Sequence, residues 1–254
     1  MSLQYIKETE PIEAPVRQDD TFVRAVSVFP FYSLILIASL AAVWLCQLAI
    51  DGSVAILFGG ENSVLLAGFV KPAFAGGEYW RILTGAVLHG GLIHLAFNCY
   101  ALYILGKLIE VLSNRAHLSV IFLLSAIGGG LLSFIFLPND VSVGASGGIL
   151  GFLGYLTIYG FLRRKLLTDA FLKNMLFNVA FIAFTGIFVL PNVDNFAHLG
   201  GLIAGAIYGF LQIPRDLHKD PREVGETTKF IGVAALGISV VVSVFSILIL
   251  LRII

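Results

Sequence analysis

Apolar stretches follow one another along this chain, at Phe31–Ile50, Ile82–Ile109, His117–Leu137, Val141–Leu162, Ala170–Leu190, Phe196–Ile213 and Phe230–Leu251, separated by segments that hold most of the charge. About 20 apolar residues carry a helix across the hydrocarbon core of a bilayer. Lipid offers no water to backbone N–H and C=O groups, so a spanning segment must bond them internally. An all-α polytopic membrane protein with seven transmembrane helices is therefore predicted. The composition, 58% hydrophobic against 13% charged with a mean hydropathy of +0.93, excludes an ordinary soluble domain.

Basic residues assign the two sides. One alternate set of segments holds Lys7, Arg17, Arg24, Lys107, Arg115, Arg163, Arg164, Lys165, Lys173, Arg215, Lys219, Arg222 and Lys229, and the other only Lys71, Arg81 and Arg252. This asymmetry places the N-terminus in the cytoplasm and the C-terminus outside, although the formal net charge is zero. The short connections point to a bacterial cytoplasmic membrane.

Residues 1–28 carry Pro11, Pro15 and mixed charge without the apolar core and cleavage site of a signal peptide, and read as a flexible cytoplasmic tail. Residues 29–213 form the expected core. Its large outer segment, 51–81, bears Phe58, Leu65, Leu66, Phe69 and Phe74 and is expected to fold against the outer leaflet. A cytoplasmic linker, 214–228, precedes the seventh helix in 229–254, which has no ionisable residue between Phe230 and Leu251 and reads as peripheral to any chemistry. Cys46 and Cys99 lie within spans and read as packing residues.

Polar residues enter the spans at one depth. The second, fourth and sixth spans run in the same direction, and near their outer ends lie His94 and Asn98, then Ser146, then His198. His94 and Asn98, four apart, share a helix face. An unpaired polar group in lipid costs about 2–7 kcal/mol, so these side chains are expected to face one another or water. Glycines give the means of approach: Gly201, Gly205 and Gly209 stripe the sixth span, and Gly147, Gly151 and Gly154 the fourth. A serine must come within about 2.6–3.2 Å of its base to be activated.

Trp80-Arg81, then His94-x-x-x-Asn98, then Gly144-Ala145-Ser146-Gly147, then Ala197-His198-Leu199-Gly200-Gly201 with its glycine stripe resemble, in this order and on these spans, the rhomboid intramembrane serine proteases, over about Gly77 to Phe210. The resemblance implies a six-helix rhomboid core, with one additional C-terminal transmembrane helix here. It implies a catalytic dyad of Ser146 as nucleophile and His198 as general base, with His94, Asn98 and the Ser146 N–H binding the oxyanion. The expected substrates are single-span transmembrane proteins, cut near the outer end of the span, and the resemblance implies Gly, Pro or Ser near the cut with a small residue before it; water is expected to reach Ser146 through a polar cavity beneath a movable outer loop. No cofactor, metal or nucleic acid is implied, the other partner being membrane lipid; the oligomeric state stays open. One position departs from the pattern. Leu150 stands where the family usually places an aromatic residue one turn after the nucleophile.

The remaining polar residues have plainer readings. Asp194 is read as a solvated or turn-stabilising carboxylate, so that Asp194→Asn keeps most activity. His89 is expected to make a structural hydrogen bond near the outer interface, and His117 and His218 to be solvated. Trp80 and Arg81 read as loop anchors of ordinary membrane type, with Arg81 snorkelling. Activity is expected to rise with pH near ~6.5, as imidazole becomes neutral. The absence of acidic residues from span interiors argues against a proton or cation transporter. No His-Glu-x-x-His pair or paired intramembrane aspartate supports another protease class. The remaining alternative is a non-catalytic rhomboid-like chaperone or binding protein.

Overall fold

The computed structural model describes residues 29–53, 56, 59–190 and 192–254; the N-terminal tail and Phe58 lie outside the described residues. Its long helices are α1 (Phe31–Asp51), α5 (Leu92–Leu112), α6 (Arg115–Phe136), α7 (Ser146–Leu162), α8 (Asp169–Phe188), α9 (Asn195–Gln212) and α10 (Glu226–Leu250). The short helices α2 (Glu61–Ala67), α3 (Lys71–Ala75) and α4 (Arg81–Thr84) fall between α1 and α5, and two short strands, β1 (Phe69–Val70) and β2 (Val141–Ser142), pair antiparallel. Among the described residues, α1, α5, α6, α8 and α10 are long and apolar enough to cross a membrane; α7 is a shorter apolar helix of 17 residues. This is an all-α polytopic architecture.

Two predicted spans begin too early. The stretch from Ile82 is not continuous helix: α4 ends at Thr84, and α5 starts only at Leu92, after Gly91 at φ +110°. The stretch from Val141 opens with a strand, and α7 starts at Ser146 after Gly144 at φ +129°. Hydropathy does not register such breaks, whereas a positive φ, open to glycine and strained for other residues, interrupts a helix.

Glycines hold the centre of the bundle. A β-carbon on Gly201 or Gly205 would overlap the backbone of Gly147 or Gly151, so α9 and α7 touch main chain to main chain. On the other side of α9, a β-carbon on Gly200 would sit 2.5 Å from the Gly128 oxygen, and one on Gly129 2.5 Å from the Ala197 oxygen. Helix α9 is thus clasped by α7 and α6, the second clasp using Gly128 and Gly129 of α6.

The described part of segment 51–81 packs against the protein. Ala67, Phe69 and Lys71 are buried, although Leu65 stays exposed. Arg81 is buried, not snorkelling, and donates to the carbonyls of Leu65 and Gly68 at 3.1 and 3.0 Å and to Glu78 at 2.6 Å. It anchors the segment by bonding two of its carbonyls, that of Gly68 also accepting the Val70 N–H at 2.8 Å. Trp80 packs edge-on against Phe245 of α10, with ring centroids 5.7 Å apart. Helix α10 also docks on α6, where Ser119 donates to the Gly232 carbonyl at 2.6 Å. By contrast, α8 leaves Phe177, Phe181, Phe184 and Phe188 exposed, as a lipid-facing helix does. Cys46 and Cys99 are half-buried free thiols.

Candidate active site

Helices α5, α7 and α9 each place a polar residue in their first turn: His94, Ser146 and His198. Packing of α9 on α7 brings two of them together, with His198 Nε2 2.8 Å from Ser146 Oγ. That is hydrogen-bond reach for proton transfer. With the serine hydroxyl donating, the neutral imidazole keeps its proton on Nδ1. Among the described residues that nitrogen is buried and meets no partner. Among the described residues no carboxylate bonds that nitrogen, and Leu150 is a buried core residue.

The donors converge on Gly144. A β-carbon there would lie 2.6 Å from His94 Cε1, 2.8 Å from His94 Nε2 and 3.7 Å from Asn98 Nδ2. The Gly90 N–H donates to His94 Nδ1 at 3.3 Å, so the neutral ring carries its proton on Nε2, on the side of Gly144. Asn98 is buried, and its Nδ2 has no hydrogen-bond partner among the described residues. A buried donor left unpaired costs about 1–3 kcal/mol. This donor lies beside Gly144, two residues before Ser146 in the sequence. Ser146 is the first residue of α7, where backbone N–H groups have no intrahelical acceptor and favour negative charge. Gly144 is itself pinned, its N–H donating to the Gly85 carbonyl at 2.9 Å.

Asp194 is neither free nor catalytic in position. Its carboxylate caps α9 by accepting the Ala197 N–H at 2.9 Å, accepts the hydroxyls of Ser133 and of Ser142, the latter at 2.5 Å, and lies 3.5 Å from Lys71 Nζ. The turn-stabilising part of the expectation is met and the solvated part is corrected, because α6, β2 and the outer segment close over it. Burial alone would push the Asp194 carboxyl up, but the bonds from Ser133, Ser142 and the Ala197 N–H, with the Lys71 charge, outweigh it and hold the carboxyl below its ordinary value.

Three histidines complete the comparison. His117 is buried rather than solvated: α6 begins immediately after Asn114, turning the ring inward to bond the Tyr208 hydroxyl at 2.9 Å. His89 is also buried; Gln47 bonds both its backbone N–H and its carbonyl, and the ring lies edge-on to His94. His218 is exposed, as expected.

A family model described as the rhomboid domain matches residues 76–215. The chain belongs to the rhomboid family. It is 39% identical over 146 residues to RHOMBOID-like protein 6, mitochondrial, of Arabidopsis thaliana, covering 56% of this chain and 46% of that protein. It is 38% identical over 153 residues to rhomboid protease GluP of Bacillus subtilis, covering 58% of this chain and 29% of that protein. The chain thus spans less than half the length of these two relatives. The matched rhomboid region contains every residue converging on Gly144 and excludes α10.

Proposed function

We propose that this chain is an intramembrane serine endopeptidase that cuts transmembrane segments of other membrane proteins near their outer end. The observation that carries the reading is the 2.8 Å contact of His198 Nε2 with Ser146 Oγ. In this reading the Ser146 hydroxyl attacks the scissile carbonyl while His198 takes its proton and returns it to the leaving amine as the C–N bond breaks; water, deprotonated by the same imidazole, then cleaves the acyl-serine ester, releasing the carboxylic acid and restoring the hydroxyl. His94 Nε2–H, Asn98 Nδ2–H and the Ser146 N–H stabilise the tetrahedral oxyanion. The N-terminus is cytoplasmic in this reading, and the site opens outward. Membrane proteins whose spans contain Gly, Pro or Ser near the cut are the expected substrates, because unwinding a stable helix in lipid strands backbone groups at several kcal/mol each.

A serine-directed fluorophosphonate is expected to label the wild-type protein on the peptide containing Ser146 and to leave Ser146→Ala unlabelled, as read by mass spectrometry. Labelling elsewhere, or none, would overturn the assignment. Asn98→Ala is expected to lower kcat about 10²- to 10³-fold, the usual consequence of losing one oxyanion donor, while the labelled peptide stays the same. A loss below threefold would remove Asn98 from the oxyanion site.

A further inference from the structure

Ser142 lies four residues before Ser146, and Asp194 four residues before His198. One carboxylate joins the two segments: Asp194 Oδ2 accepts the Ser142 hydroxyl at 2.5 Å, and Oδ1 accepts the Ala197 N–H at 2.9 Å. The Asp194 carbonyl also accepts the His198 N–H, at 3.1 Å.

The third party to this junction is Lys71, whose side chain is fully buried beside an Asp194 side chain that is 16% exposed. Lys71 directly follows β1, which pairs with β2 as Phe69 with Ser142 and Val70 with Val141, and its N–H donates to the Asp140 carbonyl at 3.3 Å. The outer segment therefore delivers a cation to the point where the serine-bearing and histidine-bearing segments meet. An ammonium with no hydrogen bond among the described residues tolerates burial only beside an opposite charge. A carboxylate is the group that fits, since it is acceptor-only and offers about four lone-pair sites. An amide keeps only one acceptor oxygen, so its NH2 meets either the Ala197 N–H or the ammonium and the serine hydroxyls.

We propose that Asp194, held by buried Lys71, is a positioning residue that ties the strand leading to Ser146 to the first turn of the helix carrying His198, and so fixes their separation. The proposal rests on the protease reading above. Asp194 does not touch the imidazole; it acts through the segments that carry the dyad. On this account the conservative Asp194→Asn, expected from sequence to be mild, impairs turnover.

The test compares two serines that bond the same carboxylate oxygen. Ser142 lies on the segment leading to Ser146, whereas Ser133 lies on α6, which carries neither dyad member. Purified full-length variants are assayed for kcat, KM and fluorophosphonate labelling rate well below their unfolding temperatures. Asp194→Ala is expected to lower kcat and the labelling rate about 100-fold and Ser142→Ala about tenfold, with KM within twofold of wild type. Ser133→Ala is expected to stay within twofold in kcat. Equal effects of Ser142→Ala and Ser133→Ala would reduce Asp194 to a structural residue and overturn the proposal, as would unchanged kcat in folded Asp194→Ala. Wild-type protein that neither labels nor cleaves would instead bring down the protease reading and this proposal with it.

Discussion

Replacing His198 by alanine is expected to slow cleavage of a transmembrane substrate by about 10⁴- to 10⁶-fold, Ser146→Ala by a similar factor, and the double variant by no more than either. The reason is that in the proposed mechanism the two side chains form one device. Without the imidazole 2.8 Å away, the serine hydroxyl has no group to take its proton, and without the hydroxyl the imidazole has nothing to activate. Whatever rate survives comes from substrate binding and the oxyanion donors. Quantifying cleaved product over long incubations in proteoliposomes checks this. Losses that multiply in the double variant would mean that the residues act independently, and more than a tenth of wild-type rate in His198→Ala would place the base elsewhere.

Gly205→Ala is expected to lower the labelling rate at Ser146 by at least about 100-fold and to destabilise the bundle by about 1–3 kcal/mol. A β-carbon at Gly205 would overlap the backbone of Gly151, and a main chain cannot swing aside as a flexible side chain can. Helices α9 and α7 must separate, and a misplacement of about 1 Å at a reacting pair can cost about 10² in rate. Gly237→Ala in α10 is the matched control, since nothing lies within 4 Å of a β-carbon there. Thermal unfolding in detergent together with labelling rates checks both. A Gly205→Ala protein that labels like wild type would show that the helices repack around the methyl group without moving the dyad.

The long helices and the nearness of Ser146 to His198 were legible because each leaves a local mark. Lipid requires runs of apolar residues, and a hydroxyl or an imidazole inside such a run stands out. The glycine stripe on α9 was legible for a similar reason, its spacing being that of one helix face. Elsewhere the same reasoning misplaced residues. Hydropathy ran α5 back to Ile82 and α7 back to Val141, because the apolar residues before Gly91 and Gly144 serve turns and a strand rather than helix. His117 was given to solvent from its position beside charged residues, yet the start of α6 turns it into the bundle against Tyr208. The glycines Gly128 and Gly129 gave no signal of their own, since their partner lies on α9, about seventy residues away.

The sequence by itself determined the medium, the number of long helices and which polar side chains enter apolar stretches, since these follow from residue type and spacing along one segment. Tertiary structure alone decided that Lys71, Ser142 and Asp194 meet, that Asn98 Nδ2 has no partner among the described residues, and that α9 is clasped on two sides. Each of those facts is a relation between segments far apart in the chain, set by which backbones can touch, and no local pattern encodes it.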